Sequence, residues 1–299
     1  MRVTHRIIAN TVIKNINANL TRMNRYQNML SSGKVISKPS DDPVKISRIM
    51  GYTTELQQNK QYQRNIDAAQ SWLESTENAL AGINDVLQRA RELAVSGADG
   101  TKPQEARDAI AMEVDELIDV LLQLANTSVG GRYIFAGYKT TSLPFTRDKF
   151  QPLPADRVAY HGDSGALRWE IAPGVTVKGN IDGQTLFMDT GIFTHMEELI
   201  DALRNNNDGE INTALDNLSK SIDDIQDYRS ALGAISNGLR MTMNKTTLEE
   251  LNITGLRSKL EDIDFAETFM YYSTMAVLYE ASLAAGARIM VPSLIDFLR

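Results

Sequence analysis

The chain has 299 residues, a formal net charge of −7 and no cysteine, which removes disulfides, thiolate nucleophiles and cysteine-based zinc sites together. Hydrophobic content is 42% but aromatic content only 7%, a balance that favours packed aliphatic helices over a sandwich or an aromatic-lined pocket. The acidic bulk makes a poor partner for nucleic acid or an anionic membrane, although residues 1–40 carry seven Lys or Arg and no acid.

The opening Met1 to Asn10 has no continuous apolar core of signal-peptide type. No window approaches the roughly 20 apolar residues that span a bilayer. The expectation is a cytosolic chain, or one exported without a cleaved signal. From Ile13 the apolar spacing Ile13, Ile16, Leu20, Met23 and Leu30 traces a narrow helical seam that ends at Ser31-Ser32-Gly33, glycine being the usual helix stop. Six asparagines between Asn10 and Asn28 interleave with it. They are weak helix formers, so this segment is expected to order only against a partner. Its basic residues come about once per turn, which reads as a solvated face rather than a nucleic-acid arm.

In Lys38-Pro-Ser-Asp-Asp-Pro43 the acids and serine are capping residues and Pro43 suits the first helical position. A long helix is predicted from about Pro43 to Val95. Its register is Ile66, Leu73, Leu80, Leu87 and Ala94, with Ala69, Thr76, Ile83 and Ala90 as a second row. Unbroken, it would reach about 80 Å, too long for one compact core to bury without parallel neighbours. Ser96 to Pro103 reads as a turn, and Ile110, Val114, Leu117, Leu121 and Leu124 mark a return helix.

Helical periodicity stops at Asn126, and Gly130-Gly131 opens a different composition. Residues 132–193 hold four of the eight prolines and most of the β-branched and aromatic alternation. Val158 to His161 and Leu167 to Ile171 read as a hairpin about Gly162-Asp-Ser-Gly165, with further short strands at Val175 to Val177 and Gln184 to Phe187. Helix resumes at Thr194, where Glu197 three residues on suggests a capping box. After a polar turn at Asn205 to Gly209, Ile211, Leu218, Ile225, Leu232 and Leu239 repeat every seven residues, with Leu215 and Ile222 alongside. Weak patches at Asn244 to Thr247 and Asn252 to Gly255 suggest an interruption. The last stretch carries the apolar row Leu256, Ile263, Met270, Val277, Ala284, Val291 and Leu298, with a companion row through Leu260, Ala281 and Leu294. Such a seam can pair with one or two helices.

The expected fold is therefore mainly α. Long antiparallel helices from both halves form a coiled-coil rod, and a small β-rich insert interrupts it. The expected division is 1–42 with 256–299, 43–131 with 194–255, and 132–193. The candidate assembly interface is Ile13, Ile16, Leu20, Met23 and Leu30 together with Leu256, Ile263, Met270, Val277, Ala284, Val291, Leu294 and Leu298.

No stretch asks to be an active site. Gly162-Asp-Ser-Gly165 resembles a serine-protease nucleophile loop, but Ala166 follows it and His161 is too close in sequence to act as that chemistry's base. Asn205 to Gly209 hints at a calcium loop, yet its first and twelfth positions would be Arg204 and Leu215, which supply no such ligands. Asp223, Asp224 and Asp227 accompany Lys220 and Arg229 and read as a solvated face. No glycine-rich phosphate loop follows a strand. No catalytic residue, cofactor or metal is expected.

Met1-Arg-Val-Thr4, Leu30-Ser-Ser-Gly-Lys34, Pro39-Ser-Asp-Asp-Pro43, Arg64-Asn-Ile66, Arg132-Tyr-Ile-Phe-Ala-Gly137, Pro144-Phe145 and Ser293-Leu-Ile-Asp-Phe-Leu298 together resemble the flagellin superfamily. Pro39 and Pro43 make the set more similar to its hook–filament junction members than to filament flagellins. Pro292 departs from the helical pattern that the resemblance implies there. The resemblance implies a non-enzymatic structural part of the bacterial flagellum, an adaptor between hook and filament; the alternative is a minor flagellin that polymerises itself. The implied partners are hook-associated protein 1, flagellin, neighbouring copies in a ring and a cytoplasmic export chaperone, with no nucleic acid and no membrane. Type III export without a cleaved signal, an extracellular site and terminal helices that fold as they assemble complete what it implies.

Overall fold

The computed structural model describes residues 2–149 and 157–290. Among these the fold is mainly α, with six helices and three antiparallel strand pairs. The helices are α1 (Arg2–Ser32), α2 (Pro43–Gly97), α3 (Gln104–Ala125), α4 (Ile192–Arg204), α5 (Asp208–Glu261) and α6 (Phe265–Met290). The chain forms two compact units, residues 1–58 with 249–299 and residues 59–248.

Local chemistry sets the helix ends. Gly33, at φ +71°, closes α1 with the left-handed turn that glycine adopts without a Cβ penalty. Asp42 Oδ1 accepts the N–H groups of Val44 and Lys45 at 3.1 and 3.0 Å, capping α2 one residue ahead of Pro43. Asn207 Oδ1 does the same for α5, accepting from Gly209 and Glu210, so the turn that hints at calcium is a helix cap. Asp264 Oδ1 accepts the N–H of Glu267 at the start of α6.

In the unit of residues 59–248, both predicted rows of α2 are buried from Ile66 to Ala94, as is the row Ile211 to Leu239 of α5. Helix α3 returns antiparallel to α2: Gly82 lies against Leu124, while Arg89 bonds Glu113. The Glu77–Arg229 ion pair ties α2 to α5.

The β segment does not pair as the sequence suggests. Val158–Tyr160 (β4) pairs with Phe145–Arg147 (β3), and Arg168–Ala172 (β5) pairs with Val175–Lys178 (β6), so the expected Val158–Ile171 hairpin is absent. Ser128–Val129 (β1) and Arg132–Tyr133 (β2) form a third, minimal pair. Glycines mislead the reading, because Gly162 and Gly165 serve a loop that folds back on Tyr138 and Tyr160. Gln184–Met188 is a π-helical turn rather than a strand; it buries Leu186 and Phe187, which alternation cannot do from one strand face. Phe187 meets Phe135, Phe145 and Phe193 with ring centroids 5.0–5.6 Å apart. The β segment thus shares one hydrophobic core with α2, α3, α4 and α5.

Two helix boundaries differ as well. Helix α4 begins at Ile192 behind Gly191, which is left-handed at φ +68°, with no side-chain cap. Glu197 therefore sits inside the helix and is buried instead of completing a capping box. Helix α5 runs unbroken through Asn244–Gly255 to Glu261. The interruption falls at Asp262–Asp264, where Asp264 supplies the next cap.

Candidate assembly interface

The unit of residues 1–58 with 249–299 is built on α1 and α6, which lie antiparallel. At one end Val35 N–H donates to Glu261 O at 2.7 Å and Ile263 N–H to Gly33 O at 3.1 Å, with the Lys34–Glu261 ion pair beside them. Further along, Tyr26 stacks on Tyr271 at 5.6 Å, and Asn19 Nδ2 donates to Ser282 Oγ at 2.9 Å. At the far end Gly286 leaves room for Val12 and Ile16; a Cβ there would lie 3.1 and 3.2 Å from them.

The facing seams follow a heptad rhythm. On α1 the half-buried positions Ala9, Val12, Ile16, Asn19, Met23, Tyr26 and Leu30 alternate three and four apart. On α6 the covered positions Thr268, Tyr272, Met275, Tyr279, Ser282 and Gly286 do the same. This alternation keeps one stripe toward a partner helix.

Of the sequence-predicted residues, Ile16, Met23 and Leu30 lie in the α1 seam, Leu20 is half-buried beside it, and Ile13 is exposed. The α6 row does not face α1. A step of two residues turns a helix by about 200°, so Met270, Val277 and Ala284 stand across the helix from Thr268, Met275 and Ser282. Met270 is 56% and Val277 65% exposed. Leu256 belongs to α5 and Ile263 to the link before α6, so the expected continuous seam is broken there. Val291, Leu294 and Leu298 lie outside the described residues.

Sequence reasoning missed the α6 seam because Thr268, Tyr272, Tyr279, Ser282 and Gly286 are polar, aromatic or small. Their three-and-four spacing was the available signal. The result is a helix whose less apolar stripe pairs within the chain while its more apolar stripe is bare. Phe265, Phe269 and Leu278 add to the exposed apolar area, and only Glu267, Glu280 and Arg288 are charged among the helix's 26 residues. Patches of this kind mark association surfaces. The outward side of α1 exposes Ile7, Ile8 and Ile13 near its start and is otherwise mostly polar, with Asn10, Asn17, Thr21 and Asn24 exposed.

The chemical candidates resolve into structure. Asp163 Oδ1 accepts the N–H groups of Tyr138 and Gly165 at 2.7 and 2.8 Å, and those bonds hold its carboxyl below the usual aspartate range. His161 Nε2 bonds Thr146 Oγ1 at 2.8 Å. The loop around Ser164 is thus a turn pinned by a carboxylate. Asp223, Asp224 and Asp227 are exposed. Among the described residues no group of His, Asp and Glu side chains is arranged to hold a metal, and no helix is long and apolar enough to cross a membrane.

The bacterial flagellin N-terminal helical region matches residues 3–140, and the bacterial flagellin C-terminal helical region matches residues 215–298. The chain belongs to the flagellin family. It is 28% identical to the flagellar hook-associated protein 3 of Escherichia coli (strain K12) over 282 residues, 87% of this chain and 88% of that one. It is 23% identical to the flagellin of Bacillus subtilis (strain 168) over 305 residues, 96% of each. Among solved structures, a flagellar hook-associated protein of Vibrio parahaemolyticus shares the fold with a TM-score of 0.67 at 20% identity, over 74% of this chain and all of that one. The two matched terminal regions of this flagellin-family chain contain the seam residues of α1 and α6, respectively.

Proposed function

We propose that this chain is a structural adaptor at the hook–filament junction of the bacterial flagellum, with no enzymatic activity. The observation that carries the reading is the similarity to a hook-associated protein 3 over 87% of this chain, in a chain whose terminal helix pair leaves the row Met270, Val277 and Ala284 bare. Burial of that row against neighbouring subunits would contribute about 1.5–3 kcal/mol for each large apolar side chain, before the entropy of ordering is subtracted. Ile13, on the open side of α1, is assigned to the same contacts. Because α1 and α6 already meet within one chain, association adds the outer stripe rather than creating the whole seam.

The division of labour places 1–42 with 256–299 at the assembly contacts, 43–131 with 194–255 as the supporting helices, and 132–193 outward. Hook-associated protein 1 on one side, flagellin on the other and further copies around a ring are the proposed partners. An export chaperone and signal-free export to the cell exterior complete the reading.

The test is addition of purified protein to isolated hooks carrying hook-associated protein 1, followed by flagellin. An adaptor decorates the tips and then supports filament growth, but does not polymerise alone at high salt. The full-length match to a flagellin supports the second reading, a minor flagellin. Long filaments from the pure protein would establish that reading and overturn the first.

A further inference from the structure

A guanidinium surrounded by three carboxylates lies where the β segment meets the helices. Arg147, on β3, has a side chain only 2% exposed. Its Nη2 donates to Asp115 at 2.6 Å and its Nη1 to Asp119 at 3.0 Å, both on α3. Lys149 pairs with the same two aspartates. The third carboxylate, Glu197 of α4, is 2% exposed and receives the worst share. Its Oε1 stands 3.6 Å from Arg147 Nε, beyond hydrogen-bond reach, and both atoms are buried without a hydrogen-bond partner. The backbone N–H of Arg157 supplies a hydrogen bond to Glu197. On α4 itself Glu198 is exposed and His195 turns to Ser221 of α5. The two aspartates are partly solvated and well bonded, whereas Glu197 is the most buried of the three and the least satisfied. Of the three, Glu197 is the one for which a bound proton relieves most desolvation.

We propose that Glu197 is a proton-binding site controlling how tightly the β segment is held: protonation tightens the seat of β3 on α3 and α4, and deprotonation loosens it. Burial pushes the Glu197 carboxyl up, and the opposing pull of Arg147 and Arg157 does not cancel it. Opening the seat returns Glu197 to its ordinary value near 4.5. The closed seat therefore binds the proton more tightly than the open one. Its contribution is full below 4.5 and is lost as pH rises through the raised value. Asp119 has the opposite sign. Burial pushes it up, but hydrogen bonds from Lys149 and Arg147 hold it low, so its contribution is lost as pH falls below the ordinary aspartate value of 3.8. The seat is tightest in mild acid. This inference concerns the unit of residues 59–248 and does not depend on the assembly reading.

The test is hydrogen exchange, corrected for intrinsic rates, at two amides flanking the β3–β4 ladder: Asp148, which donates to Arg157 O, and His161, which donates to Pro144 O. Their protection should rise as pH falls from neutrality toward 4.5, by at most about tenfold per pH unit for one proton. Glu197→Gln should be flat over that range and as protected at neutral pH as the wild type is in mild acid. Asp119→Asn should lower protection at neutral pH and in mild acid, where the Asp119 charge holds Arg147 and Lys149, and abolish the loss at more acid pH. Protection in the wild type that is constant or grows with pH, or faster exchange in Glu197→Gln throughout, would overturn the proposal. Should Glu197→Gln fail to fold, carbon NMR titration of the wild-type Glu197 carboxyl decides: a midpoint above 4.5 supports the site, and one at or below it refutes the site.

Discussion

Asn126 and Phe145 exchange two hydrogen bonds: the carboxamide Oδ1 accepts from Phe145 N–H and its Nδ2 donates to Phe145 O, each at 3.0 Å. Asn126 is the C-cap of α3, its backbone N–H donating to Leu122 O, so one residue ends that helix through its main chain and continues the edge of β3 through its side chain. Phe145 is fully buried, and its main-chain groups there have little access to water. Asn126→Ala should therefore cost about 2 kcal/mol, the penalty for leaving a buried donor and acceptor unpaired. Urea unfolding measures it; a loss no larger than that of an exposed Asn→Ala control would mean that solvent replaces the pair.

Two kinds of helical glycine separate by substitution. Gly286 admits Val12 and Ile16, and Gly286→Leu should drive α1 from α6 and lower the helical signal of the terminal segments. Gly233 of α5 has nothing within 4 Å of a built Cβ. Gly233→Ala should raise stability by about 0.5–1 kcal/mol through helix propensity alone. Thermal unfolding followed by circular dichroism compares them, and a destabilised Gly233→Ala would reveal a contact or a bend that needs glycine.

Much of this was legible in sequence where one apolar period governs. Ile66 to Ala94 of α2 and Ile211 to Leu239 of α5 read correctly because each packs one stripe into one core. The β segment was not, because its pairing depends on contacts distant in sequence. Phe145 meets Tyr160 in the ladder, and Leu186 with Phe187 packs from a π-turn that no alternation encodes. On α6 the apolar row was seen, but its partner was not. Hydrophobicity ranks Met270 and Val277 above Thr268 and Ser282, whereas geometry pairs Ser282 with Asn19. Arg147 gave no sequence signal and Glu197 read only as a helix-capping residue, since a buried ion cluster is assembled from three separate elements.

Asp163 offers a pH test. The N–H groups of Tyr138 and Gly165 favour its charged form and hold its carboxyl low. The stability it contributes is present above the ordinary value of 3.8 and is lost as pH falls through its lower folded value. NMR titration should place its midpoint below 3.8, and Asp163→Ala should release the Tyr138 loop. A midpoint at the ordinary value would show that those bonds do not persist in solution.

On the proposed assembly reading, α6 pairs within the chain through one stripe and serves neighbours through the other. Val277→Asp tests it most directly, because Val277 is 65% exposed in the single chain and an exposed substitution of this kind changes stability by about 0.5 kcal/mol or less. The variant should unfold at the wild-type temperature yet fail to decorate hook tips, whereas Met275→Asp, in the inner seam, should disrupt the helix pair itself. Normal decoration by a well-folded Val277→Asp protein would contradict the assignment of the outer stripe to assembly.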